Sequence, residues 1–253
     1  MNYKQLFYFL LLVCLYSCKQ ETHLAKIEGA RLEINDSLTA DQAIEAFVKP
    51  YREHVNRDLD SVLAYAIDTY SKSDGELNTA IGNLMADIIV DRANPIYKSR
   101  TSNSIDMVMV NHGGIRSIIS KGNITTRTAY EVMPFENSIV VSEMKGKLIK
   151  EELIPYLLRA RRAHPISGLQ LRVDNDFNLI EAKINGESIQ DNKTYHVATN
   201  DYLYFGGDRM IFFKKGDSLH ILDYKIRNAL IDYFKSVDTI NPMIDERFIK
   251  VNQ

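Results

Sequence analysis

Apolar residues along this chain change their spacing often, and each spacing predicts an element. Leu77, Ile81, Leu84, Met85, Ile88 and Ile89 recur every three or four positions, which predicts a helix over about 77–92. Ile44, Phe47, Val48, Tyr51 and Val55 follow the same rule. Asp36, Ser37 and Thr39 offer capping oxygens ahead of them, and Pro50 predicts a kink or break. Leu148, Leu153, Leu157 and Leu158 give a helix within 144–162, and Ile226, Leu230, Ile231 and Phe234 another within 223–234. Residues 128–132 read as a further short helix. Strands are predicted where apolar residues alternate or run together, over 24–32, 105–110, 169–173, 179–184, 187–189 and 195–199. Asn185-Gly186 separates two of these, and both residues tolerate positive φ, so a hairpin turn is expected there. Helices and hairpins alternate irregularly rather than as strand–helix–strand repeats. The expected fold class is therefore α+β, a single domain of mixed sheets and packed helices over 24–253.

Composition narrows the partners. With 253 residues, 45% hydrophobic and 25% charged, the chain has ordinary globular composition and length enough for a substantial core. A net charge of −2 and the absence of a long Lys/Arg run argue against nucleic acid.

The first residues are of another kind. Lys4 precedes an apolar run, Leu6 to Tyr16, that is short for a membrane span. It ends in Leu15-Tyr16-Ser17-Cys18, which looks like a bacterial lipobox. On that resemblance 1–17 is a signal peptide, Cys18 is the acylated first residue of the mature chain, and 18–23 is a polar tether. The alternative is an uncleaved anchor or a plain signal peptide with an incidental cysteine. Cys14 and Cys18 are the only cysteines, so the lipobox reading leaves no thiol for a disulfide, a metal or nucleophilic catalysis. The expected location is the bacterial cell envelope, lipid-anchored and facing the periplasm or the surface.

Three segments concentrate the polar chemistry. Asn111-His-Gly-Gly-Ile-Arg116 follows a predicted strand. Gly113 and Gly114 let a ligand approach the backbone, and Arg116 offers a planar fork of donors. In Met133-Pro-Phe-Glu-Asn137, Pro134 fixes the backbone before Phe135, with the polar Asn137 two residues on. The third, Asp201-Tyr-Leu-Tyr-Phe-Gly-Gly-Asp208, combines Tyr202, Gly206-Gly207 and the acceptor-only carboxylate of Asp208. Each segment taken alone reads equally as a turn or a core ring.

Together, in this order from Val108 to Met210, they resemble the C-terminal, substrate-binding domain of the 5′-nucleotidase family of metallophosphoesterases, over roughly 38–251. The resemblance implies a nucleoside or nucleotide ligand. Phe135 and Tyr202 would sandwich the base, with Asn137 beside it, and Asp208 would accept from the ribose hydroxyls. Asn111, Gly113, Gly114, Arg116 and Gly207 would complete the substrate contacts. The resemblance also assigns Gly168 to a further backbone contact to the base. Two positions depart from the pattern. Gly75 stands where relatives carry a cationic arginine, and Arg209 stands where a small residue is common.

The family's chemistry uses two metal ions on His, Asp and Asn ligands. Its ligand signatures are absent, and His23, His54, His112, His164, His196 and His220 are scattered singly. No catalytic residue, metal ligand or cofactor is expected in this chain. The divalent metals are expected in a separately encoded metallophosphoesterase partner. Two functions compete: the recognition half of a split 5′-nucleotidase, and a non-catalytic nucleoside- or nucleotide-binding lipoprotein.

Overall fold

The structure is a computed structural model and describes residues 2–5, 7–8, 23–35 and 37–251. Cys14, Cys18, most of the expected leader and the capping position Asp36 lie outside the described residues. The chain divides into two compact units, Met1–Lys49 and Pro50–Gln253.

In the first unit the strand expected at 24–32 does not form; Leu24, Ile27 and Leu32 are exposed in irregular chain. Alternation specifies a strand only where a neighbouring strand supplies a ladder, and none pairs there. Helix α1, Gln42–Leu59, begins in the first unit and continues into the second; it is started by Asp41, whose Oδ1 accepts from the N–H groups of Ala43 (2.9 Å) and Ile44 (3.1 Å). Pro50 lies within it, where a kink or break is expected, and the helix is not broken there. No residue of α1 is buried, and water can satisfy the carbonyl that the proline leaves unpaired.

The second unit holds the core. Strand β1, Val62–Ala66, precedes helix α2, Ala80–Thr101. Thr79 caps α2 through Gly82 N (3.2 Å), and the helix ends at Ser102 in left-handed conformation. It runs nine residues beyond the expected Arg92 because Ala93 and Tyr97 continue the buried stripe of Ile89. Then follow β2 (Met107–Met109), β3 (Gly122–Thr125), α3 (Thr126–Val132) and β4 (Ser138–Lys145). The helical region expected over 144–162 begins only at Gly146, passes through a wide turn at Ile149–Leu153 and closes as α4, Ile154–Ala160. After it come β5 (Ile166–Ser167), β6 (Leu169–Val173), β7 (Leu179–Ile184), β8 (Glu187–Ser188) and β9 (Thr194–Asn200). The chain closes with α5 (Asp201–Tyr204), β10 (Ser218–Lys225), α6 (Ile226–Ser236), β11 (Thr239–Ile240) and β12 (Phe248–Lys250). The β7–β8 turn is the expected hairpin, with Asn185 at φ 52° and Gly186 at φ 80°.

Among the described residues three mixed sheets result, in the orders β11-β1-β3, β10-β4-β9-β2-β5 and β12-β6-β7-β8. With helices packed against them this is the expected α+β class. The five-stranded sheet matters most. Its β9 pairs parallel with β2 (Val108↔Ala198) and antiparallel with β4 (Ile139↔Asn200). The C-terminal ends of β2 and β9 and the N-terminal end of β4 therefore share one end of three adjacent strands, about 4.8 Å apart. The loops that carry Asn111, Phe135 and Tyr202 all leave from that end.

Candidate functional site

Beyond β2 the chain tightens into a single 3₁₀ turn, His112–Gly114, closed by Gly114 N donating to Asn111 O (3.0 Å). Buried Asn111 turns its side chain inward, and its Nδ2 donates to Asp208 Oδ2 at 2.7 Å. Arg116 N is held by Val132 O (2.9 Å), which ties this loop to the end of α3. The Arg116 guanidinium reaches Gly113 O (3.3 Å) and lies 5.9 Å from the centre of the Phe135 ring.

The Pro134-Phe135 segment follows α3, whose Thr125 and Thr128 form a reciprocal cap. It is gripped from α6 by Arg227, a buried guanidinium that donates to Pro134 O (3.1 Å) and Phe135 O (3.4 Å) and pairs with Glu136. Arg227 also stacks 4.1 Å from the Tyr130 ring centre. Hydrogen bonds from Arg227 and Lys225 hold the Glu136 carboxyl down at about 2. With its backbone so fixed, Phe135 leaves its ring 41% exposed.

Asn200 caps α5 through Leu203 N (2.8 Å) and brings Tyr202 to the same rim, 46% exposed. Neither Phe135 nor Tyr202 stacks on another aromatic ring among the described residues. Gly206, at φ 98°, reverses the chain, and Gly207 lies flat under Tyr202. A Cβ on Gly207 would sit 2.5 Å from the tyrosine's Cζ and Cε1. Asp208 itself is left-handed (φ 49°, ψ 23°), a conformation that costs a non-glycine residue roughly 1–2 kcal/mol. Three hydrogen bonds hold it there: Asn111 Nδ2 and Tyr202 OH (3.0 Å) on its carboxylate, and Tyr156 OH (3.0 Å) on its carbonyl.

Asn111, Gly113, Gly114, Arg116, Phe135, Asn137, Tyr202 and Asp208 thus line one cavity of about 300 Å³. That is the lower end of the usual size of a small-ligand site. Gly207 supports it from behind. Gly168 is not brought there. It lines a different cavity with Asn185 and Arg247, and its φ of 75° answers the close approach of Asp106 O, 2.3 Å from a Cβ placed on it.

Several neighbours had no local signal. Gly75 is demanded by a turn in which a Cβ would meet Asn78 O at 2.1 Å, leaving no room for the family's arginine. Lys72 lies nearby but outside the cleft: its Nζ donates to Ile115 O (2.9 Å), and it lines a neighbouring hollow with Arg116. His112 and His164, scattered in sequence, are adjacent in space. Burial, then the charges of His112 and Arg162, push His164 down to about 4. Its neutral ring accepts at Nδ1 from His112 N (3.3 Å) and is hydrogen-bonded to the Val110 backbone, and His112 Nδ1 meets Ala163 O (3.1 Å). Both imidazoles are engaged with backbone. No group of three or more His, Cys, Asp or Glu among the described residues is placed to hold a metal.

Comparison with known proteins accords with this geometry. The trifunctional nucleotide phosphoesterase protein YfkN of Bacillus subtilis is 31% identical over 189 residues, covering 68% of this chain and 12% of that protein. The cell wall protein Lmo0130 of Listeria monocytogenes is 28% identical over 209 residues, 69% of this chain and 26% of that one. The crystal structure of a 5′-nucleotidase precursor from Thermus thermophilus shares the fold, with a TM-score of 0.67 at 24% identity over 84% of this chain and 43% of that one. The chain spans less than half of each. Residues 60–215 match the family described as 5′-nucleotidase, C-terminal domain, and this chain belongs to that family.

Proposed function

We propose that this chain is the nucleoside- or nucleotide-recognition part of a split 5′-nucleotidase, working in nucleotide catabolism with a separately encoded dimetal phosphoesterase. The observation that carries the reading is the convergence of the three motifs on one cavity with two unstacked rings, a guanidinium and a carboxylate. Phe135 and Tyr202 stack on the base, a contact worth about 1–3 kcal/mol that tolerates different bases. Asn137 lies beside the base. Asp208, already aimed by Asn111 and Tyr202, accepts from the ribose hydroxyls. Gly113 and Gly114 give close access to backbone, while Arg116 offers its planar fork of donors to the substrate. All of these residues bind and orient; water activation belongs to the partner and its metals. Acylation at Cys18 places the domain on the envelope, a location that suits a relative named as a cell wall protein.

Calorimetry with adenosine and AMP tests the cleft. Removing either ring is expected to weaken binding about 5- to 150-fold. Asp208→Asn is expected to blunt the preference for ribose over 2′-deoxyribose. Adding a metallophosphoesterase from the same gene neighbourhood should raise AMP hydrolysis above that of the partner alone, and Phe135→Ala or Arg116→Ala should remove the gain. Binding without a gain favours the non-catalytic receptor. Absence of binding refutes the cleft.

A further inference from the structure

Gly113 and Asp208, which wall the cleft, also wall a second and larger cavity of about 730 Å³. On its far side stand Arg159 from the end of α4, Arg162 just beyond it, and Arg209, next to Asp208. His112 and Tyr156 complete the bowl. Its one carboxylate, Asp208, already has an oxygen held by Asn111 and the other by Tyr202.

The cations are left over. Elsewhere on the surface Arg127 pairs with Asp60, Arg172 with Glu246, and Arg247 with both Asp87 and Asp245. Arg161, between the two α4-end arginines, is turned away and lies 4.3 Å over the Phe177 ring. Arg159, Arg162 and Arg209 have no side-chain hydrogen bond or ion pair among the described residues. Arg209 holds a left-handed backbone (φ 62°) directly after the left-handed Asp208, and it lines the chamber but not the cleft. Like charges lining a concave surface repel each other and focus positive potential into it. A tetrahedral dianion relieves that repulsion and matches the planar donor forks of arginine.

We propose that this chamber is a phosphate site, with Arg159, Arg162 and Arg209 as its donors. It is separate from Arg116, which lines the cleft on the other side of Gly113 and Asp208. The ligand is a phosphate group, either free or carried by a nucleotide whose nucleoside sits in the adjoining cleft. Only the second source rests on the function proposed above.

Titration of the full chain with inorganic pyrophosphate, adenosine and ADP, at low ionic strength, separates the possibilities. Pyrophosphate is expected to bind, and Arg159→Gln or Arg162→Gln to weaken it about tenfold each, the order of one charge-assisted hydrogen bond. Both side chains are exposed, so these variants fold as the parent does. Arg161→Gln removes the same charge outside the chamber and is expected to change nothing. Adenosine affinity should stay constant throughout. If the phosphate arrives on a nucleotide, ADP binds more tightly than adenosine and its advantage falls with the same two variants. If it arrives free, pyrophosphate binds without that ADP advantage. Pyrophosphate binding together with failure of adenosine to bind keeps the chamber and removes the nucleoside cleft. Absence of pyrophosphate binding, indifference to Arg159→Gln and Arg162→Gln together, or an equal loss in Arg161→Gln overturns the proposal.

Discussion

Gly207 shows how much of this cleft depends on one missing atom. The Tyr202 ring rests on its backbone, and a methyl group at 2.5 Å from Cζ would have to displace the ring. Gly207→Ala is therefore expected to weaken nucleoside binding almost as much as deleting the ring, up to roughly 1–3 kcal/mol. Thermal unfolding should change little, because Tyr202 is a rim residue. Calorimetry beside a melting curve checks both halves; unchanged affinity would show that the ring's position is not what binds. At this scale the motif residues were legible because each of the three segments contains a glycine pair or a proline that marks a special backbone. Lys72, Tyr156, His164 and Arg227 were not. Each reaches the site or its supports from another part of the chain, and no local pattern encodes such an approach.

The elements around the site are fastened to each other by buried polar groups, and His164 is the one that titrates. Its ordinary value near 6.5 is lowered to about 4 in the fold, first by burial. The unfolded chain therefore takes up the proton before the folded chain does. This contribution to stability is fully present above about pH 6.5 and is lost as pH falls toward 4, up to about 3 kcal/mol in all. Denaturant unfolding from pH 7 to 4 should show that decline, and His164→Gln should flatten it. A parallel decline in the variant would assign the loss to other groups. A protonated ring also cannot accept from His112 N, so the Asn111–Gly114 turn loosens over the same range. Element boundaries were read least well where burial is two-sided. In β4, Ile139, Val140, Val141 and Ser142 are all buried, so period-two alternation is absent, and Met144 was read as helix. β10 carries as little signal: its residues are mostly half-exposed, and from sequence Asp223 reads as the start of the helix that follows.

For the whole molecule, sheet order explains why three distant segments make one site. β4, β9 and β2 are neighbours, and the loops leave from a shared end. The order of the motifs was legible through family resemblance, but the adjacency was not, because strand pairing is set by contacts far apart in sequence. The second cavity was invisible for the same reason. Attachment to the envelope belongs to this scale too. If Cys18 is acylated, Cys18→Ser should move the protein out of the membrane fraction and remove the acyl mass from its first mature residue. No helix among the described residues is long and apolar enough to cross a membrane. Retention of the serine variant, with no acyl mass on the parent, would refute that assignment.

The Asn111–Asp208 hydrogen bond spans 97 residues of chain. Closing so long a loop brings its reward only after the strands between have paired, which makes the aimed carboxylate a late event in folding. A nascent or clipped chain ending before Asp208 would display both rings with nothing to orient a ribose. Ligand binding would accordingly report completed folding, and saturating nucleoside would hold the finished state against unfolding by mass action, about 2.7 kcal/mol at a hundred times the dissociation constant.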